Sequence, residues 1–294
     1  MPLTRTLRYG SLGEDVMRVK QRLLSLGCYP AHVTTLQSST FGKETQSAVK
    51  TFQTQQGLPA DGVVGPLTYA ALFPEETTET IPVDRAGIPA QIGDTAAAGI
   101  LAALTDANEM RRSIVLDALQ FAYDATQKRD FPTSLYIRGG NLYNTDLSIN
   151  IITLARIASG ASRQPEFYDG GRREMMERAV EENPLITGAD CSGGVVGLLR
   201  HAGVVKPKFD LAADGFAVSK SMRTIAQEEL LPADLLHKSG HIGLYVGGGY
   251  AAEWMGGAYG CQLTRLTNRR GYNFVKHTTD RFGAWTSYLR PCWY

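Results

Sequence analysis

The chain has 294 residues, length enough for two domains of roughly 100–200 residues each, and its hydrophobic (43%) and charged (20%) fractions are those of a globular protein. A net charge of +1 leaves no electrostatic footprint for nucleic acid or an anionic membrane surface. No apolar run reaches the roughly eighteen residues that would span a bilayer, and Met1-Pro2-Leu3-Thr4-Arg5-Thr6-Leu7 lacks the apolar centre of a signal peptide. The expectation is either release by another route or a leader absent from this chain.

Glu14 to Leu26 places Val16, Val19, Leu23 and Leu26 on one helical face and is followed by Gly27. Lys43 to Gln56 repeats the arrangement with Ala48, Val49 and Phe52 before Gly57. Asp61-Gly62 marks a turn, and Pro66 stands where a first helical residue belongs, ahead of Leu67, Tyr69, Ala70 and Leu72. Three short helices separated by turns predict a small bundle over residues 1–74. The stretches Leu7-Arg8-Tyr9-Gly10-Ser11-Leu12-Gly13-Glu14-Asp15-Val16, Phe41-Gly42-Lys43-Glu44-Thr45, Ala48-Val49-Lys50-Thr51-Phe52-Gln53 and Gly57-Leu58-Pro59-Ala60-Asp61-Gly62-Val63-Val64-Gly65-Pro66-Leu67-Thr68 carry a resemblance. Over about residues 5–73 the chain resembles the three-helix peptidoglycan-binding domain of cell-wall hydrolases. That resemblance implies peptidoglycan, through its glycan strand or stem peptide, as the partner. Ser39-Thr40 stands where the family usually has Asp-Gly, so the first loop is expected to differ in shape.

From Pro74 the composition shifts to Glu, Thr and Pro, then to Ala and Gly, which predicts a linker over residues 75–106 with a short helix near Ala96–Leu104. Such a tether raises the local concentration of a second domain, here residues 107–294, at whatever the first one holds. Helical spacing returns from Glu109 to Thr126 and from Ile151 to Ala158, and Arg172–Glu182 reads as a charged amphipathic helix with a solvated face.

Ala189-Asp190-Cys191-Ser192-Gly193-Gly194 precedes Val195, Val196, Leu198 and Leu199, then Arg200-His201 and Gly203, a pattern for a helix starting at or just after Cys191. A thiol there faces unpaired N–H groups and the positive end of the helix, which favours thiolate. The alternative is a small cysteine buried beside glycines. Downstream, His241-Ile242-Gly243-Leu244-Tyr245-Val246 and Tyr250-Ala251-Ala252-Glu253-Trp254 read as strands joined through Gly247-Gly248-Gly249. With the glycines as the loop, Gly243 faces Glu253, and His241 is a diagonal neighbour of Glu253 roughly 7–8 Å away by backbone. A nucleophilic cysteine, an imidazole to take its proton and a polar group to orient the imidazole form a working set. The alternatives are a structural histidine in a half-buried strand and a solvent-facing glutamate. The four cysteines include no CxxC pair, and His237 and His241 on a strand make a poor metal pair, so no metal or cofactor is expected. Cys261 and Cys292 could pair in an oxidising compartment if they lie close enough.

Asp190-Cys191-Ser192-Gly193, Pro232-Ala233-Asp234-Leu235 and His241-Ile242-Gly243-Leu244-Tyr245-Val246-Gly247, with a polar residue twelve positions after the histidine, resemble the NlpC family of cell-wall cysteine peptidases over about residues 150–290. The resemblance implies an α+β class: a small N-terminal helical bundle, a linker, and a papain-like C-terminal domain with an antiparallel sheet. It also implies hydrolysis between D-glutamate and the diamino acid of the stem peptide, with action at the bacterial wall as an autolysin or phage lysin. By motif position Cys191 is the nucleophile, His241 the base and Glu253 the third residue, with Asp190 and Ser192 lining the substrate subsite. Three positions depart from the pattern: Ala233 replaces a usual Gly, Gly194 a usual large apolar residue, and the aromatic-x-x-Gly-Gly element has two candidates. Phe167-Tyr168-Asp169-Gly170-Gly171 is favoured over Tyr136-Ile137-Arg138-Gly139-Gly140 because it lies nearer Cys191, which adds Phe167 and Tyr168 to the expected substrate residues. Rival functions are an N-acetylmuramoyl-L-alanine amidase or cross-bridge peptidase with a Cys-His-Glu set, and a non-catalytic wall-binding or phage-tail protein.

Overall fold

The computed structural model describes residues 7–30, 33, 38–73, 85–126 and 129–294. The leader expectation at the first residues and the Glu/Thr-rich start of the expected linker lie outside them. The chain divides into two compact units, Met1–Asp84 with Asp94–Gly99, and Arg85–Gly93 with Ile100–Tyr294.

In the first unit, α1 (Glu14–Ser25), α2 (Lys43–Gln55) and α3 (Pro66–Leu72) appear where the apolar spacing places them. Val16, Val19 and Leu23 of α1 meet Ala48, Val49 and Phe52 of α2 in a core that also takes Leu7, Phe41, Val64 and Leu72. Leu7 pairs with Val64 and Leu12 with Thr40, tying the loops together. The buried Gln53 amide donates to Asp61 Oδ1 (2.7 Å), Val63 O (3.0 Å) and Thr68 Oγ1 (3.0 Å), while its oxygen accepts from Gly62 N–H (2.8 Å). One side chain thus pins the turn that aims α3, with both its amide nitrogen and its oxygen engaged.

The helix α4 (Asp94–Leu104) falls at the end of the expected linker. In the second unit, α5 (Glu109–Phe121) is capped by Asn108, whose side chain accepts from Arg111 N–H. The strand β1 (Ser134–Tyr136) leads through a long excursion containing α6 (Leu154–Arg163) and α7 (Arg172–Glu182) to β2 (Thr187–Ala189), which pairs with β1 in parallel. The helix α6 starts three residues later than the spacing suggests, because the Thr153 side chain caps it and Ile151 bridges to Thr187 instead. The charged helix α7 is not wholly solvated: Met175, Met176, Ala179 and Val180 are buried.

After α8 (Cys191–His201) and α9 (Ala213–Val218) the chain builds an antiparallel sheet in the order β3-β10-β4-β5-β6-β7. Its strands are β3 (Met222–Ile225), β4 (Leu235–Lys238), β5 (His241–Gly247), β6 (Tyr250–Trp254), β7 (Cys261–Arg265) and β10 (Ser287–Pro291). A hairpin of β8 (Arg270–Asn273) and β9 (Thr278–Arg281) stands apart. The class is therefore mixed, a helical N-terminal unit followed by an antiparallel-sheet unit with helices. The four cysteines are free thiols, so Cys261, buried, and Cys292, exposed, are not bridged.

Two positions that depart from the resembled pattern have local causes. Ala233 sits at φ +71° with its N–H bonded to Tyr245 O at 2.7 Å, a left-handed turn entering β4 that glycine adopts more easily. Gly194 has no side chain because Trp254 of β6 fills that space: an added Cβ would lie 2.1 Å from the indole. Trp254 is itself fixed by donating from Nε1 to Ser134 Oγ at 3.1 Å. Two outcomes in urea denaturation are expected. Ala233→Gly stays within about 1 kcal/mol of the parent, since relieved strain offsets a lost buried methyl, whereas the β-branched Ala233→Val loses more than about 2 kcal/mol. Gly194→Leu, which restores the family's usual class of residue, loses at least about 2 kcal/mol by overpacking.

Candidate active site

Asp190 is the N-cap of α8 and joins three segments. Its Oδ1 accepts from Gly193 N–H at 2.7 Å and from Ser192 Oγ at 3.1 Å, and its Oδ2 accepts from Gly139 N–H at 2.9 Å. Asp190 N–H in turn donates to Gly140 O at 2.9 Å. Tyr136-Ile137-Arg138-Gly139-Gly140 is therefore the element that lies against the start of α8, set there by the pairing of Tyr136 with Ala189. This corrects the choice of Phe167-Tyr168-Asp169-Gly170-Gly171, which nearness in sequence favoured. Gly193 completes the contact, since a Cβ there would lie 1.9 Å from Gly140 O.

Cys191 is 6% exposed at the first position of α8. Its sulfur lies against β5 on both sides of His241: it donates to Gly240 O at 3.9 Å and accepts from Ile242 N–H. Burial, and then the Asp190 charge, push the thiol up to about 11, although the Ile242, Ser192 and Cys191 N–H groups pull it down. The thiolate expected from the helix start alone is not what this environment favours. A proton acceptor has to supply it.

The hairpin pairs Leu244 with Ala252, which places Gly243 opposite Glu253. A Cβ on Gly243 would sit 3.1 Å from Glu253 Cβ and 3.0 Å from the Trp285 ring, so the glycine leaves the space in which the two other side chains lie. His241 Nε2 is 2.7 Å from Glu253 Oε2, and its ring stacks on Trp285 at 5.5 Å and 13°. Glu253 is fully buried rather than solvent-facing. Oε1 accepts from Thr264 Oγ1 (2.5 Å) and Arg269 Nε (2.7 Å), and Oε2 also accepts from Arg269 Nη2. Burial would push this carboxyl up, but hydrogen bonds and charge from Arg269 and His241 win and hold it at about 2. A carboxylate only accepts, so Nε2 of His241 carries hydrogen and the neutral ring keeps its lone pair on Nδ1.

Of the residues expected to line a substrate subsite, Ser192 is partly exposed beside the cap, and three of the acceptor positions of Asp190 are already taken. Phe167 lines a groove of about 430 Å³ with Tyr136, Arg172, Tyr259 and Lys276. Tyr168 does not: it is 3% exposed and packed on Gly160 in the core of the excursion, away from that groove. Tyr136 lines the groove instead. Burial, then the Cys191 and Asp190 charges, push its hydroxyl up to about 12, so it remains a donor at the edge of the thiol. His237 is bonded to Asp214 Oδ1 (2.9 Å) and Ser287 Oγ (3.1 Å) and stands apart from the His241 pair. Arg269 and Trp285 carry no sequence signal; they lie in a polar turn and in the segment just ahead of β10.

Residues 13–72 match the peptidoglycan binding domain family. Among curated proteins, the chain is 33% identical over 43% of its length to the protein disulfide isomerase pTAC5 of Arabidopsis thaliana chloroplasts. It is 35% identical over 27% of its length to the zinc D-Ala-D-Ala carboxypeptidase of Streptomyces albus G, and 39% identical over 21% to the N-acetylmuramoyl-L-alanine amidase CwlM of Mycobacterium tuberculosis. The matches span 32%, 30% and 14% of those proteins, a third of their length or less. The crystal structure of Burkholderia AP3 phage endolysin aligns over 55% of this chain and 62% of its own at 20% identity, with a TM-score of 0.21. No helix among the described residues is long and apolar enough to cross a membrane.

The Glu253 carboxyl lies below its ordinary value of 4.5, so its contribution to stability is complete above pH 4.5 and is lost as pH falls through about 2. In Glu253→Gln that acid-side loss disappears. At neutral pH the variant is less stable by about 3–5 kcal/mol, because Arg269 is left as a buried unpaired charge. Urea unfolding of both proteins from pH 2.5 to 7 checks the sign and the size.

Proposed function

We propose that the chain is a peptidoglycan hydrolase in which residues 1–74 hold the wall and residues 107–294 cleave the stem peptide through Cys191, at the bond from D-glutamate to the diamino acid. The observation that carries the reading is the His241–Glu253 hydrogen bond, made by an imidazole whose backbone neighbours on either side hold the Cys191 sulfur. The family match over residues 13–72 supports the wall as substrate. So does the partial likeness to an amidase and a carboxypeptidase. A papain-like core and action at the bacterial wall, as an autolysin or a phage lysin, belong to the same reading.

In this mechanism Nδ1 of His241 takes the Cys191 proton as the sulfur attacks the scissile carbonyl carbon. The carbonyl oxygen becomes an oxyanion beside the Cys191 and Ser192 N–H groups at the helix start and the Tyr136 hydroxyl. His241 returns the proton to the leaving amine as the C–N bond breaks, leaving a thioester. A water then gives a proton to His241 and attacks the thioester; the C–S bond breaks, the acid leaves and the thiol is restored. The high thiol value makes this proton transfer the essential step. Metal chemistry is not needed for it.

The anionic third residue also favours a second reading, an amidase or cross-bridge peptidase with the same three residues. Mass spectrometry of peptidoglycan incubated with the full chain separates the readings. New amino groups on the diamino acid support the endopeptidase. Free L-alanine amines, with glycan stripped of peptide, indicate the amidase. Wall retention without any new amine indicates a binding protein and sinks the hydrolase reading. Cys191→Ala and His241→Ala are expected to lower release by about a thousandfold or more while retaining wall binding.

A further inference from the structure

Arg269 lies between β7 and β8, outside the three residues of the proposed catalytic set. Its guanidinium meets both oxygens of Glu253, Nε at 2.7 Å from Oε1 and Nη2 on Oε2, while Nη1 donates to Gly283 O at 3.0 Å. The group is 4% exposed, with its carbon 4.2 Å from the centre of the Trp285 ring and 5.4 Å from that of Phe282. Trp285 therefore covers both this cation and the His241 ring. Oε2 of Glu253 is shared between His241 Nε2 and Arg269 Nη2.

We propose that Arg269 is a positioning residue for His241: its two-point contact neutralises Glu253, so the carboxylate orients the imidazole without locking it as imidazolium. The inference rests on the reading of His241 as the base for Cys191. An unpaired carboxylate in a water-free site favours a charged imidazole beside it, and an imidazolium has no lone pair for a thiol proton. An equal and opposite charge on the same carboxylate removes most of that bias while leaving the acceptor geometry in place. The other groups around His241 do not reach this carboxylate with a charge. Asp190 and Cys191 come from the start of α8, Tyr136 from β1, and Lys238 of β4 pairs with His241 of β5. Cys261 on β7 lies within reach of the Glu253 charge, but burial and then that charge push its thiol well up, so it stays neutral. Asp214, from α9, binds Gly240 N–H at 2.8 Å, on the turn ahead of His241. A lysine could not make the same contact, since its single ammonium cannot hold both oxygens and Gly283 O in one plane.

The test follows His241 by NMR in the full chain with carbon-13-labelled histidine, its signal assigned by loss in His241→Asn. In Arg269→Gln the titration midpoint of His241 is expected to rise by about one pH unit, a tenfold gain in proton affinity. The acid limb of the turnover profile should move the same way. In the double variant Glu253→Gln with Arg269→Gln, which buries no charge, the midpoint stays within about half a unit of the parent, because the two charges cancel. Arg269→Lys is expected to restore most of the midpoint while turnover remains several-fold below the parent. A midpoint in folded Arg269→Gln within about 0.3 unit of the parent overturns the proposal. If that variant does not fold, the double variant decides: a fall of one unit or more shows that Glu253 acts as an unpaired charge in the parent, and overturns it equally. The readout uses the resting protein, so a parent that cleaves no peptidoglycan defeats the proposed function and leaves this measurement standing. An unmoved midpoint in an active enzyme defeats only the role of Arg269.

Discussion

The second unit is arranged around one carboxylate with no access to water. Removing an ion of that size from solvent costs several kcal/mol, and a buried charge persists only where its acceptor positions are filled. Glu253 fills them from three parts of the chain: His241 on β5, Thr264 on β7 and Arg269 on the turn after it. Register and electrostatics are consequently linked. Side chains alternate along β6, so Trp254 packs on α8 while Glu253 faces the opposite side. A slip of one residue would exchange them, placing a carboxylate against the helix and an indole where Arg269 waits.

The other face of β6 packs the segment that carries Cys191, the proposed nucleophile. Trp254 occupies the space above Gly194, Gly140 O occupies the space above Gly193, and Asp190 ties the first turn of α8 to Gly139. These contacts press the helix start against β5 until the Cys191 sulfur meets the main chain beside His241. The closeness has a chemical consequence. Burial raises the thiol more than the Ile242, Ser192 and Cys191 N–H groups lower it, so the resting sulfur keeps its proton. Packing, in this site, decides where the proton has to go.

Much of this is legible in the amino-acid order because local signals agree with the fold. The three N-terminal helices, α8 and the hairpin of β5 and β6 follow from apolar period, from Pro66 at a helix start and from a run of glycines at a turn. What periodicity cannot carry is contact between distant segments. Tyr136 reaches Cys191 because β1 pairs in parallel with β2 across an excursion holding two helices, and sequence distance pointed instead to Phe167 and Tyr168. Arg269 sits among Thr267, Asn268 and Arg270, residues typical of a solvated turn, and only the fold shows that its guanidinium is stacked and buried. Ala233 hides a left-handed backbone behind a residue that rarely adopts one.

In the proposed catalytic set Glu253 is the residue that orients the imidazole, and its surroundings give a physical reason that an acid can serve there. A side chain that orients an imidazole needs an acceptor at fixed distance, and it also needs a field that leaves the ring free to change its charge. An amide meets both needs alone. A carboxylate meets the first and, unpaired, fails the second. Paired on its far side with a guanidinium that is itself held between Trp285 and Phe282, it presents an oxygen in the right place with nearly no net charge behind it. Under that proposal the two residues do together what one amide could do alone, and the extra hydrogen bonds make the acceptor harder to displace. The cost is borne by stability at low pH, where the carboxylate takes up a proton and the guanidinium loses its partner.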